Sequence, residues 1–71
     1  MTYSEMATIE PGLMFETKSG VMVKTTGASL YLPSHNGYAH EVVVAEGPGE
    51  GYKYWHNLDT AKPLAMAETA G

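Results

Sequence analysis

Turn signals recur at short intervals along this chain, and they constrain its fold more than any other feature of the sequence. Each signal contains glycine, which adopts backbone angles that interrupt helices and strands. The signals are Pro11-Gly12, Ser19-Gly20, Thr26-Gly27, Asn36-Gly37 and the glycine-rich run at 47–51. Their spacing leaves no room for a long helix and predicts several short strands.

The residues between the turns alternate between apolar and polar side chains, which is typical of half-buried strands. Strands are therefore predicted at 13–18, 21–26, 28–32, 38–46 and 50–56, with a last edge strand at 62–64. Residues 2–5 have the capping spacing of a helical turn, although an edge strand is an alternative there. The predicted core consists of Leu13, Phe15, Val21, Val23, Leu30, Leu32, Val42, Val44 and Leu58.

Several of these segments resemble the SH3-like small β-barrels at the level of fold. Gly12-Leu13 opens the first strand, the turn at 18–21 leads into the second, and 41–44 is similar to the central strand. Residues 55–58, followed by 61–64, are similar to the usual ending, in which a one-turn helix delivers a leucine into the core. The resemblance implies an all-β fold, a small five- to six-stranded SH3-like barrel with short one-turn helical elements. It implies no particular function, because one fold hosts many functions.

Because the sequence starts with Met, we expect the chain to be a complete small protein. Its 71 residues are too few for two ordinary domains. The SH3-like barrel is predicted to span residues 12–64, after an N-terminal segment at 1–11. Residues 65–71 are predicted to be a flexible C-terminal tail, because so short a segment does not form a stable helix by itself.

Composition excludes several classes of protein. The chain has no cysteine, so it is neither a disulfide scaffold nor a cysteine-ligated zinc module. No apolar run approaches the roughly 20 residues that span a bilayer. The N-terminus also lacks the basic and then apolar pattern of a signal peptide. We therefore expect a cytoplasmic protein with no membrane partner.

Candidates for metal binding and catalysis are few. The spacing of His35, His40 and His56 matches no metal-ligand motif, so neither a metal nor a cofactor is predicted. Ser34 and Asp59 are the remaining loose candidates for catalysis, but a barrel of this size rarely encloses a substrate pocket. We predict that the chain is not an enzyme.

Aromatic residues are concentrated in the predicted strand at 50–56, and they are the best candidates for a binding surface. Alternation places Tyr52, Tyr54 and His56 on one face, with Tyr54 as the core candidate, and directs Trp55 outward beside Lys53. Tyrosine and tryptophan are favoured at protein interfaces because they bury a large area at low conformational cost. The predicted protein-binding residues are Tyr31, Tyr52, Lys53 and Trp55.

These features favour a non-catalytic protein-binding module that acts as an inhibitor, adaptor or accessory subunit. Its partner is predicted to be another protein, or itself in a homo-oligomer. The low lysine content, the missing arginine and the small size suit a phage or mobile-element accessory protein. Two alternatives remain open: a structural subunit of a larger assembly such as a virion or ring, and an oligomeric small-ligand-binding protein with a site between chains.

The charge balance predicts no affinity for nucleic acid. The chain has four lysines, no arginine and a net charge of −4, whereas nucleic-acid affinity comes mainly from basic side chains that neutralise phosphates. We expect no retardation of duplex DNA or RNA by micromolar protein at about 150 mM salt in a gel-shift assay. A retarded band under these conditions would contradict the prediction.

Overall fold

The computed structural model describes residues 2–64 of the 71-residue chain. It contains five strands: β1 (Met14–Glu16), β2 (Met22–Leu32), β3 (Gly37–Val44), β4 (Lys53–His56) and β5 (Lys62–Pro63). Three short 3-10 turns accompany them, at Tyr3–Glu5, Pro33–His35 and Leu58–Thr60. No α-helix occurs within residues 2–64, and the predicted flexible tail at 65–71 lies outside the described residues.

The strands form one antiparallel sheet in the order β4-β3-β2-β1-β5, which confirms the all-β prediction. The sheet is not closed into a barrel, because β4 and β5 end the order and do not pair with each other within residues 2–64. The SH3-like barrel expected from the sequence is therefore not formed. A physical reason is the shortness of β5, which has two residues and whose Pro63 has no amide hydrogen to donate.

Strand β2 is one continuous strand, which corrects the prediction of separate strands at 21–26 and 28–32. The Thr26-Gly27 signal is a β-bulge rather than a turn. The register changes there, because Thr25 faces Val42 whereas Ser29 faces His40. Gly27 has a φ of 98°, and a Cβ at this position would lie 3.4 Å from the Cβ of Pro11. The positive φ favours glycine at the bulge, whereas the distance to Pro11 is that of an ordinary van der Waals contact.

The core lies between the inner face of the sheet, the N-terminal segment and the last 3-10 turn. The buried cluster comprises Ile9, Phe15, Val23, Val42, Val44 and Leu58. Most of these residues were predicted, and Leu13 and Val21 pack against them as half-buried neighbours. The ring of Tyr3 contacts Phe15 edge-on, with ring centroids 5.2 Å apart.

Leu30 was predicted to be in the core, but its side chain is 43% exposed. The bulge adds two residues to β2 relative to β3. Because side chains alternate with a period of two residues, odd-numbered residues of β2 face inward on both sides of the bulge. Val23 and Ser29 consequently face inward, whereas Leu30 lies outside opposite Ala39. Leu32 was also predicted to be in the core; it lies on the same face of β2 as Leu30 and is half-buried.

Two buried polar side chains attach the N-terminal segment to the sheet. The Thr25 hydroxyl donates to the carbonyl of Glu10 at 2.7 Å and accepts from the amide of Leu13 at 2.9 Å. The ring of His40 is fully buried, and its Nε2 lies 2.9 Å from the carbonyl of Tyr3. Because a carbonyl only accepts, Nε2 carries the hydrogen. With both partners in place, neither polar group is buried without a hydrogen bond.

Replacement of Phe15 tests the position of the core. We expect Phe15→Ala to lower the free energy of unfolding by about 3–5 kcal/mol, because it leaves a cavity among the buried residues. The matched control Leu30→Ala should cost about 1 kcal/mol or less, since this side chain is largely exposed. Chemical denaturation followed by circular dichroism measures both variants. Equal losses would contradict the assignment of Leu30 to the outer face.

Candidate functional site

Strand β4 is the end strand of the sheet, and its side chains alternate between two different environments. Tyr54 and His56 are half-buried on the inner face, where Tyr54 packs against the core. Lys53 and Trp55 lie on the outer face, and Trp55 is 44% exposed. The structure therefore has the faces that alternation predicted for this strand.

The main chain of β4 has one side that faces β3 and one that is open. The amide of Val44 donates to the carbonyl of Tyr52 at 2.9 Å, so the main chain of Tyr52 is directed toward β3. Because this direction alternates along an antiparallel strand, the amides and carbonyls of Lys53 and Trp55 are directed away from β3. No strand of residues 2–64 pairs with them there. We call this side of the strand the β4 edge.

An aromatic column lines the inner face beside the β4 edge. The rings of Tyr52 and Tyr54 are stacked at 5.8 Å, and the His56 ring contacts Tyr54 edge-on at 5.5 Å. The column forms one wall of an open cavity of about 490 Å³, which we call the mouth. Its opposite wall includes Thr17 and Thr60. The mouth also borders the β1–β2 turn at Lys18 and Ser19 and the loop at Pro48 and Gly49.

Two side chains of the column, Tyr54 and His56, have shifted pKa values. Burial lowers the pKa of His56 below its ordinary value of 6.5, and Nε2 of this ring has no hydrogen-bond partner within residues 2–64. Burial also raises the pKa of Tyr54, and the neighbouring hydroxyl of Tyr52 adds to the effect. Both side chains are therefore uncharged at neutral pH, and the column presents neutral aromatic surface.

A second, smaller cavity of about 170 Å³ adjoins Trp55, and we call it the Trp55 pocket. Its walls include the apolar residues Leu32, Ala39 and Trp55 and the polar residues Ser4, His35 and Asn57. The first 3-10 turn passes closely at this point, because a Cβ at Gly37 would lie 3.0 Å from the Cβ of Ser4. The Trp55 pocket is therefore a small cavity of mixed polarity.

The structure does not bring the four predicted binding residues together. Lys53 and Trp55 share the outer face, whereas Tyr52, which is 65% exposed, ends the inner aromatic column. Tyr31 contacts Tyr38 edge-on at 5.2 Å. Tyr38 is the β3 neighbour of Tyr31, and Glu41 is the β3 neighbour of Trp55. Tyr38 and Glu41 are an odd number of residues apart, so their side chains point to opposite faces of the sheet. Tyr31 and Trp55 therefore do not share a face.

One contributor to the site differs from its prediction. Leu30 was assigned to the core, yet it extends the outer apolar surface beside Ala39. The position of His56 beside Tyr54 agrees with the alternation predicted for this strand.

The residues that could ligate a metal are dispersed in the part of the chain that the structure describes. Residues 2–64 contain no group of three or more histidine, cysteine, aspartate or glutamate side chains placed to hold a metal ion. His40 lies opposite His56 on the neighbouring strand. Its Nδ1 already forms a hydrogen bond with Ser29, and its Nε2 forms one with the carbonyl of Tyr3. Among residues 2–64, no helical segment has the length and apolar character needed to cross a membrane.

Comparisons with known proteins do not assign the chain to a family. No family model, no curated protein and no solved structure matches it. The geometry of residues 2–64 is therefore the basis for the functional proposal.

The titration of His56 generates a prediction about stability. Since folding lowers the pKa of this ring, the neutral form stabilises the fold above pH 6.5, and that contribution is lost as the pH falls through the pKa of the folded state. We expect the melting temperature to decrease between about pH 7.5 and pH 5, and His56→Gln to reduce the decrease. The control His35→Gln changes an exposed ring and should leave the decrease unaltered. Identical pH profiles for wild type and His56→Gln would refute the assignment.

Proposed function

We propose that this chain is a non-catalytic protein-binding module that accepts an extended segment of another polypeptide along the β4 edge. In this mode of recognition, main-chain hydrogen bonds supply affinity, and pockets for alternate side chains supply specificity. The observation that carries the proposal is the open main chain of Lys53 and Trp55 between two aromatic surfaces. The module would act as an inhibitor, adaptor or accessory subunit.

The two end strands of the sheet differ in how well they are protected against pairing. Proteins commonly block such edges with proline, lysine, bulges or very short strands. Strand β5 has two residues, one of which is Pro63 and the other Lys62. Strand β4 has four residues, no proline and a single charge, at Lys53. This contrast supports β4, rather than β5, as the strand that accepts a partner.

Both faces of an added strand would find apolar surface. Successive side chains of a strand point to opposite faces of the sheet, so alternate residues would contact the aromatic column and the outer surface. On the outer face, a residue of the added strand would contact Trp55, which is 44% exposed. On the inner face, the open mouth has room for larger groups beside Tyr54 and His56.

The added strand would lie beside β4 and extend the sheet beyond its present end strand. The absence of catalysis, the absence of nucleic-acid and membrane partners and the cytoplasmic location stay predictions from the sequence. So do the two alternatives, a structural subunit and an oligomeric small-ligand-binding protein.

Selection from a displayed library of random peptides tests the proposal without a known partner. We expect the full chain to enrich peptides that bind in an extended conformation and change the fluorescence of Trp55, the only tryptophan. Lys53→Pro should abolish their binding, because it removes an amide directed to the open side, where proline is tolerated in an edge strand. The matched control Lys53→Ala retains that amide and should retain binding within several-fold.

Circular dichroism of both Lys53 variants establishes that the fold is preserved. Enriched peptides that bind wild type and Lys53→Pro equally well would contradict recognition at the β4 edge. Failure to enrich any peptide above the background of an unrelated protein would contradict the peptide-binding function itself.

A further inference from the structure

We propose that a second copy of this chain is the polypeptide that pairs with the β4 edge, through an antiparallel two-fold contact centred on Tyr54. The inference rests on the proposed function and names its partner. In this arrangement, Lys53 of each copy faces the partner's Trp55, and the two sheets become one continuous sheet. The contact is closed, because the same edge of both copies is used.

The main chain of β4 selects this register. In a pairing centred on Trp55 or His56, the main chain of Asn57 would have to form hydrogen bonds with the partner strand. The carbonyl of Asn57, however, already accepts a hydrogen bond from the amide of Thr60 at 3.1 Å. A pairing centred on Lys53 requires Gly51, whose amide already donates to Val44 at 2.9 Å.

The register centred on Tyr54 needs the main chain of Lys53 and Trp55 alone, and both are directed to the open side. The two copies then exchange two hydrogen bonds at each of the two pairs in which Lys53 faces the partner's Trp55. No hydrogen bond within the monomer has to be broken.

The outer-face side chains are complementary in this register. Lys53 lies directly opposite the partner's Trp55, and the relation occurs twice because of the two-fold axis. A lysine ammonium over an indole ring is a favourable cation–π contact. The alternative centred on Lys53 places the two ammonium groups opposite each other, which is destabilising in a sheet. The one charged residue of β4 therefore favours self-pairing in a single register.

The inner-face side chains are also complementary. Tyr54 lies opposite the partner's Tyr54, and His56 lies opposite the partner's Tyr52. Cross-strand aromatic pairs stabilise antiparallel sheets. In the monomer, Tyr52 is 65% exposed. The pairing continues the aromatic column of one copy into that of the other and covers the ring of Tyr52.

The size of the contact indicates a weak dimer. Strand β4 has only four residues, and interfaces of such limited area belong to the transient class. We expect the mass measured by sedimentation equilibrium to rise from the monomer value of 7.6 kDa toward twice that value. The rise should occur between about 10 µM and about 1 mM protein.

Three variants test the register. Lys53→Pro should leave the chain monomeric throughout this range, whereas the matched Lys53→Ala should weaken dimerisation by roughly 5- to 30-fold through loss of the two cation–π contacts. Trp55→Lys places lysine opposite lysine and should also abolish the dimer. Addition of Lys53→Trp to Trp55→Lys exchanges the two residues, recreates the facing pairs and should restore dimerisation. Circular dichroism at low concentration shows whether each variant is folded.

The outcomes separate this inference from the proposed function. A wild-type chain that is monomeric at about 1 mM overturns self-pairing, and so does association into species larger than a dimer. A dimer that survives both Lys53→Pro and Trp55→Lys uses another surface and also overturns it. If the exchanged double variant stays monomeric while folded, the register centred on Tyr54 is wrong. Peptide binding that is lost in Lys53→Pro would uphold the proposed function in each of these cases.

Discussion

Strands β4 and β5 stand at opposite ends of the sheet order, and within residues 2–64 they do not pair with each other. This gap is the constraint on which the candidate site depends. It leaves the main chain of Lys53 and Trp55 without a neighbouring strand among residues 2–64. Closure would satisfy the same groups within the monomer and remove the site. The short β5, with its Pro63, is the local reason that closure does not occur.

A sheet that stays open needs another way to cover its core, and the N-terminal segment provides it. Ile9 and Tyr3 pack onto the buried cluster, and the amide of Tyr3 donates to the Asp59 carboxylate at 2.7 Å. Burial opposes the charge on Asp59, but hydrogen bonds from Ser4 and Tyr3 outweigh it and lower the pKa of this carboxyl. The first and last 3-10 turns are thereby joined across the end of the sheet.

The β4 edge combines features that ordinary edge strands avoid. An exposed tryptophan, an exposed tyrosine and an open main chain favour association with another strand. Lys53 limits this tendency, since it disfavours pairings that place like charges opposite each other. Selectivity at the edge therefore arises from one charge, from the occupied main-chain groups of Gly51 and Asn57, and from the alternation of side chains. None of these features requires a deep pocket.

Local patterns in the sequence determined the all-β class, the positions of most strands, and the opposite faces of Tyr54 and Trp55. These properties follow from turn chemistry and period-2 alternation, which act between neighbours in the chain. Only the tertiary structure decided that β2 runs through the Gly27 bulge and leaves Leu30 outside, that His40 is buried, and that the sheet stays open. These outcomes depend on hydrogen bonds between residues far apart in the chain, such as His40 with Tyr3, and periodicity carries no record of such partners.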